Sequence, residues 1–158
     1  MWTTLVAPVD GADARLLLRE YYVEIVARYW QRPPRPGEVD QAMREQPSDS
    51  LAPPSGALIV GRYAGDLGGC AGVRLVDRTT AELKRVYVRP AYRGTGGGAA
   101  LLAAAESAAR DLGAATIRLD TRHDLVEARR LYARHGYAET APHNDEPYAE
   151  HWFAKPLH

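Results

Sequence analysis

The sequence predicts an α+β domain: a mixed, mostly antiparallel sheet of about six or seven strands flanked by about four helices. Three observations carry that expectation. A segment of helical period lies near the start, three strand-patterned segments joined by short turns follow between residues 57 and 89, and helix and strand alternate thereafter. With 158 residues, 46% of them hydrophobic, the chain suits one domain over 1–158. A chain of that length buries about two-thirds of its unfolded surface without disulfides or structural metal.

Residues 3–9 read as a short strand, and Asp10 as the N-cap of a helix from Ala12 to about Gln31. In that helix Leu16, Leu17, Tyr21, Val23, Ile25, Val26 and Tyr29 recur at three- and four-residue spacing. The run Arg32-Pro-Pro-Arg-Pro-Gly37 ends it, because proline lacks the N–H and the room a helix needs. A shorter helix is expected over about 38–46, then a Pro- and Ser-rich loop to Gly56. Strands over 57–63 and 69–76, with a turn at 64–68, form a hairpin, and 81–89 adds a third antiparallel strand. A loop over 90–98, a helix from Ala99 to about Leu112 capped by Gly113, and a strand over 116–120 complete a β-loop-α-β unit. The last helix spans about 125–135, ending at His135-Gly136, and two final strands lie at 137–140 and 150–157.

Lys and Arg total 20 and Asp and Glu total 20, so the formal charge is zero. That balance excludes a broadly basic nucleic-acid face. The single cysteine, Cys70, is expected as a small buried hydrophobe and suits a reducing, cytoplasmic setting. The start of the chain shows no leader pattern, and no apolar run approaches the roughly 20 residues of a membrane span. Neither nucleic acid nor membrane is expected as a partner. The five histidines lack paired ligand spacing, so no metal is expected either.

The densest signal is Arg93-Gly94-Thr95-Gly96-Gly97-Gly98, directly after a strand and before a helix. Such a turn presents backbone N–H groups at a helix N-terminus, where phosphate oxygens bind. Lys84, Arg85, Arg89 and Arg93 lie nearby, with no acidic residue from 83 to 105. A phosphate-binding loop of the nucleotide type is ruled out, since no Lys-Ser/Thr pair follows the glycines. Gly94, Gly96 and Ala99 do satisfy a dinucleotide fingerprint, with Asp120 placed as the ribose-binding acid. An antiparallel meander before the turn and only about 60 residues after it argue against that fold.

Glu82-Leu-Lys-Arg-Val-Tyr-Val-Arg-Pro-Ala-Tyr-Arg-Gly-Thr-Gly-Gly-Gly98, then Leu119-Asp-Thr121, then Leu131-Tyr-Ala-Arg-His-Gly-Tyr137, resembles the GNAT family of acetyl-CoA-dependent N-acetyltransferases over about 57–155. Arg93, Gly96 and Gly98 fill that family's pyrophosphate signature. The resemblance implies that Arg93, Gly94, Thr95, Gly96, Gly97, Gly98 and Ala99 hold the pyrophosphate of acetyl-CoA, and that Val86, Tyr87 and Val88 pair with its pantetheine arm. It implies a splay between this strand and the one ending at Asp120, with backbone N–H near Val88 at the acetyl carbonyl. Tyr132 is then the acid that protonates the departing thiolate, although it also lies on an apolar stripe with Leu125, Ala128 and Leu131. Glu82 is the first candidate base and Asp120 the second. Their structural alternatives are a sheet partner for Lys84 or Arg85 and a turn cap.

Many family members carry Asn seven residues before the tyrosine, where this chain has Leu125; Arg129 and Arg130 are the alternative contacts. The resemblance implies that the acceptor lies between about Tyr29–Gly37 and Pro142–Glu150; in the second segment Asp145, Glu146, Tyr148 and Glu150 suit a small primary amine, with an exposed acidic loop as the alternative. The expectation is thus direct acetyl transfer from acetyl-CoA to an amine, with a homodimer compatible. Two alternatives stay open: a non-catalytic acyl-CoA-binding or sensor domain, and a nucleotide- or S-adenosylmethionine-binding domain using Asp120.

Overall fold

A computed structural model describes all residues from 1 to 158. The order of elements is β1 (Trp2–Ala7), α1 (Ala12–Trp30), α2 (Glu38–Glu45), β2 (Gly56–Tyr63), β3 (Asp66–Leu75), β4 (Thr80–Val88), a 3-10 turn (Pro90–Tyr92), α3 (Gly97–Asp111), β5 (Thr116–Thr121), α4 (Val126–Arg134), β6 (Ala138–Thr140) and β7 (His151–Pro156). Seven strands form one sheet in the order β1-β2-β3-β4-β5-β7-β6. Every pairing is antiparallel except β4 with β5, which α3 connects. The mixed, mostly antiparallel sheet and the four α-helices are those the sequence predicts.

Burial follows the alternation of the strands but only part of the period read along α1: Leu17 and Val26 are buried as expected, whereas Leu16, Val23 and Tyr29 are exposed, and Ala14, Leu18 and Tyr22 complete the buried face instead. Ala14, Leu17, Leu18, Tyr22 and Val26 of α1 pack with Leu58, Val60, Cys70 and Tyr87 on one face of the sheet. Ile59, Val73, Leu83, Leu101, Leu102, Ile117, Leu119 and Phe153 form a second core on the other face, under α3 and α4. Alternation along β2 and β5 sends successive side chains to opposite faces, so one sheet supports both layers.

Three boundaries differ from expectation. Gly11, not Asp10, is the N-cap of α1, with no side-chain cap bond; Asp13 in the first turn supplies the negative charge at that end. The β2–β3 turn is only Ala64-Gly65, both with positive φ, so β3 starts at Asp66 rather than Gly69. The helix after the glycine turn begins at Gly97 rather than Ala99, which makes the last two glycines its first turn. That last shift puts the turn itself at the helix N-terminus.

Candidate active site

β4 and β5 part company. Their parallel ladder runs from Thr80↔Thr116 to Glu82↔Arg118 and stops, although the strands continue to Val88 and Thr121. The cause lies on the other edge of β4. Between Cys70↔Tyr87 and Gly72↔Lys84 the register shifts, leaving one additional residue on β4, and Arg85 there has φ +58°. A bulge of this kind bends its strand and increases the local twist. The thiol of Cys70 donates to the Arg85 carbonyl at 3.3 Å, and burial pushes that thiol up to about 12. Cys70 therefore supports the bulge and is no nucleophile at neutral pH.

The parting opens a cleft of about 810 Å³ between α1, α2, β4, the start of α3, the end of β5 and α4. Val86, Tyr87, Val88, Arg93, Gly94, Gly96, Gly97, Gly98, Ala99, Asp120 and Tyr132 all line it. Thr95 does not: its hydroxyl donates to the Tyr92 carbonyl and accepts from the Trp2 indole N–H at 3.0 Å.

The glycines are required for two different reasons. Gly94 and Gly96 have φ of +83° and +92° and open space where a Cβ would stand, so backbone conformation alone selects them. A Cβ on Gly97 would meet the Trp2 ring at 2.3 Å, and one on Gly98 would meet Leu131 at 2.8 Å. Trp2 thus forms the floor beneath the turn. Nothing near Trp2 in the sequence signals this role, which depends on β1 crossing under the start of α3. Gly97, Gly98 and Ala99 occupy the first turn of a 15-residue helix, where backbone N–H groups have no intrahelical acceptor. Free N–H groups of this kind suit an anion, and here they face the cleft wall.

The cationic run is not left unbalanced, as the sequence implied. Glu20 of α1 pairs with Arg89 at 2.7 Å, and Glu24, one turn on, pairs with Arg93 at 2.6 Å. Arg89 holds the Glu20 carboxyl below the usual carboxylate range, against the opposing effect of burial. Arg93 Nε also donates to the Val88 carbonyl at 2.8 Å, tying the end of β4 to the turn.

Of the three candidate catalytic groups, the cleft holds two. Tyr132 is buried among Tyr137 and Phe153, and its hydroxyl makes no hydrogen bond to the protein. Burial, with Tyr21 and Asp120 nearby, raises its pKa well above the ordinary tyrosine range. Asp120 lines the cleft and accepts from Asn144 Nδ2 at 2.8 Å. Glu82 stands outside the lining, on the last paired rung of β4. One of its oxygens takes Arg74 at 2.9 Å and Lys84 at 3.4 Å, so Glu82 is a sheet partner of Lys84 as the alternative had it, but with Arg74 rather than Arg85 as the nearer cation. Burial opposes its ionisation, but Lys84 and Arg74 outweigh that effect and hold its carboxyl below the ordinary range.

Leu125 lines the cleft, whereas Arg129 and Arg130 do not. The two acceptor segments do meet: Tyr29 stands edge-on to Tyr148, with ring centroids 5.4 Å apart. Glu146 and Tyr148 line the cleft; Asp145 and Glu150 do not, and Glu150 accepts from the His123 backbone N–H at 3.0 Å instead. Tyr21, Trp30, Glu45 and Lys84 complete this end; Trp30 falls in the first acceptor segment and Lys84 in the cationic run, whereas no motif marks Tyr21 or Glu45.

The acetyltransferase (GNAT) family model matches residues 20–137. An uncharacterised N-acetyltransferase of Schizosaccharomyces pombe is 31% identical over 142 residues, covering 89% of this chain and 83% of that protein. Among solved structures, a Klebsiella pneumoniae protein assigned as an acyl-CoA N-acyltransferase superposes with a TM-score of 0.75 at 28% identity, covering 100% of this chain and 99% of that one. An N-acetyltransferase from Thermoplasma acidophilum, solved in complex with coenzyme A, shares the fold with a TM-score of 0.75 at 16% identity, covering 99% of each chain.

Proposed function

The chain belongs to the acetyltransferase (GNAT) family and is an acyltransferase; from that premise we propose that it transfers the acetyl group of acetyl-CoA directly to a primary amine of a small molecule or peptide. The N–H groups at the start of α3 take the pyrophosphate. The unpaired edge of β4 over Val86–Val88 takes the pantetheine arm as an added strand, which directs the thioester into the gap beside β5.

Amines are mostly protonated near neutral pH, so attack needs a proton acceptor. We assign that role to Asp120, the candidate carboxylate inside the cleft, acting directly or through one water, in preference to the ion-paired Glu82. Asp120 first takes a proton from the ammonium and passes it to solvent; the freed nitrogen lone pair then forms its bond to the acetyl carbon, and a second N–H proton leaves through Asp120 to solvent. Backbone N–H near Val88 stabilises the oxyanion. The C–S bond then breaks, and Tyr132 gives its proton to the thiolate before regaining one from solvent. Its high affinity for that proton is no obstacle, because a thiolate released into the same apolar surroundings is destabilised alongside it.

The observation that carries this reading is the Tyr132 hydroxyl, protonated and without a protein partner, in the same cleft as the glycine turn and Asp120. The test is release of free thiol from acetyl-CoA with a panel of primary amines, with mass spectrometry of the products. The expected result is thiol release that requires an amine, matched by an acetylated product. Binding of acetyl-CoA without release for any amine would instead favour the sensor reading.

A further inference from the structure

Arg85 is the one bulge residue of β4, and it retains only 8% of its surface exposed. Nε donates to the Tyr22 and Ser48 hydroxyls, each at 3.1 Å, and Nη2 to the carbonyls of Gln46 at 3.0 Å and Pro47 at 3.4 Å. Every one of these acceptors is neutral. No carboxylate stands within ion-pair distance, and Nη1 makes no hydrogen bond to the protein. Buried guanidinium groups are ordinarily paired with an anion, since the charge is costly to desolvate alone.

Where Arg85 sits identifies the missing anion. It lines the acceptor end of the cleft and also a side cavity of about 380 Å³ that has no hydrophobic lining residue. The two spaces share Glu45, Gln46, Lys84, Arg85 and Glu146, so they adjoin at these residues. Lys84 stands beside it, its nearest carboxylate contact a long 3.4 Å to a Glu82 oxygen that Arg74 already holds at 2.9 Å. Glu45, Asp49 and Glu146 line the side cavity alongside Arg74, Lys84 and Arg85, none of these carboxylates within ion-pair distance of Arg85, and Asp120 adds negative charge in the cleft. Cationic and anionic groups together complement a zwitterion.

We infer that Arg85, with Lys84 beside it, binds a carboxylate of the acceptor, which is therefore a small amine that also bears a carboxylate, of the amino-acid class. The inference rests on the acetyltransferase reading. In the Michaelis complex the acceptor carboxylate takes Nη1 of Arg85 in a charge-assisted hydrogen bond, while its amine faces Asp120.

The test compares matched acceptors that differ by the carboxylate: tyrosine with tyramine, lysine with cadaverine, and 4-aminobutyrate with butylamine. Thiol release is read as kcat/KM for each. The carboxylate member is expected to be about tenfold better in at least one pair, the size of one charge-assisted hydrogen bond. Lys84→Gln and Arg85→Met are expected to raise KM for that member and narrow the ratio, with thermal melting reporting whether each variant folds. Should Arg85→Met fail to fold, the Lys84→Gln ratio decides. Amine members equal or better in all three pairs would overturn this inference and leave the acetyltransferase reading standing. Absence of release with every amine would overturn both.

Discussion

A buried tyrosine hydroxyl ordinarily finds a hydrogen-bond partner, and Tyr137 shows the ordinary case by donating to Glu106 at 2.9 Å. Tyr132, packed against Tyr137, has none. Removing a hydroxyl that bonds to no protein group leaves no partner stranded, so Tyr132→Phe should leave the melting temperature within about a degree. Its turnover should fall by about 10²–10⁴, the range for a lost general acid. Thermal melting and steady-state thiol release check the two halves, and unchanged turnover would remove Tyr132 from the mechanism. The residues legible in the sequence are those whose own backbone or chemistry is unusual: the positive-φ Gly94 and Gly96, Asp120 at a strand end, and Tyr132 in its helical motif. Glu82 shows the limit. A carboxylate on a strand reads alike in sequence whether it faces a cleft or, as here, Arg74 across the sheet.

At the scale of elements, α1 acts as a strut across the cleft. Glu20, Glu24 and Arg28 recur at four-residue spacing and form one stripe, reaching Arg89, Arg93 and, at 3.4 Å, Glu127 of α4. The helix itself was legible from its apolar period, but which of its polar residues meet β4 depends on how it crosses the sheet. The bulge at Arg85 is equally silent in sequence, because it arises from the register between β3 and β4 rather than from either strand alone. The stripe has a measurable consequence. Arg93 is held by Glu24 beside the anion site, so incoming phosphate oxygens compete with that carboxylate. Glu24→Gln should tighten acetyl-CoA binding about two- to fivefold at low salt, the worth of a partly exposed ion pair. Calorimetric titration of both proteins measures the change; equal affinity would show that Arg93 takes no part in holding the ligand.

For the molecule as a whole, the zero net charge has a structural meaning. Carboxylates of α1 fold back onto two of the four cations that precede α3, so no basic face results. On the proposed function, affinity for the phosphorylated ligand is expected to rest chiefly on the backbone N–H groups at the start of α3. Two hydrophobic cores, one on each face of the sheet, hold the diverging strands fixed from both sides. The cleft is consequently built into the fold. It opens where the single parallel pairing of an otherwise antiparallel sheet ends. The measurement that tests this most directly is calorimetric titration of the protein with acetyl-CoA, NAD and S-adenosylmethionine in parallel. Saturable binding of one acetyl-CoA per chain, with no heat from the other two, is the predicted result. Saturation by NAD or S-adenosylmethionine, with none by acetyl-CoA, would contradict it.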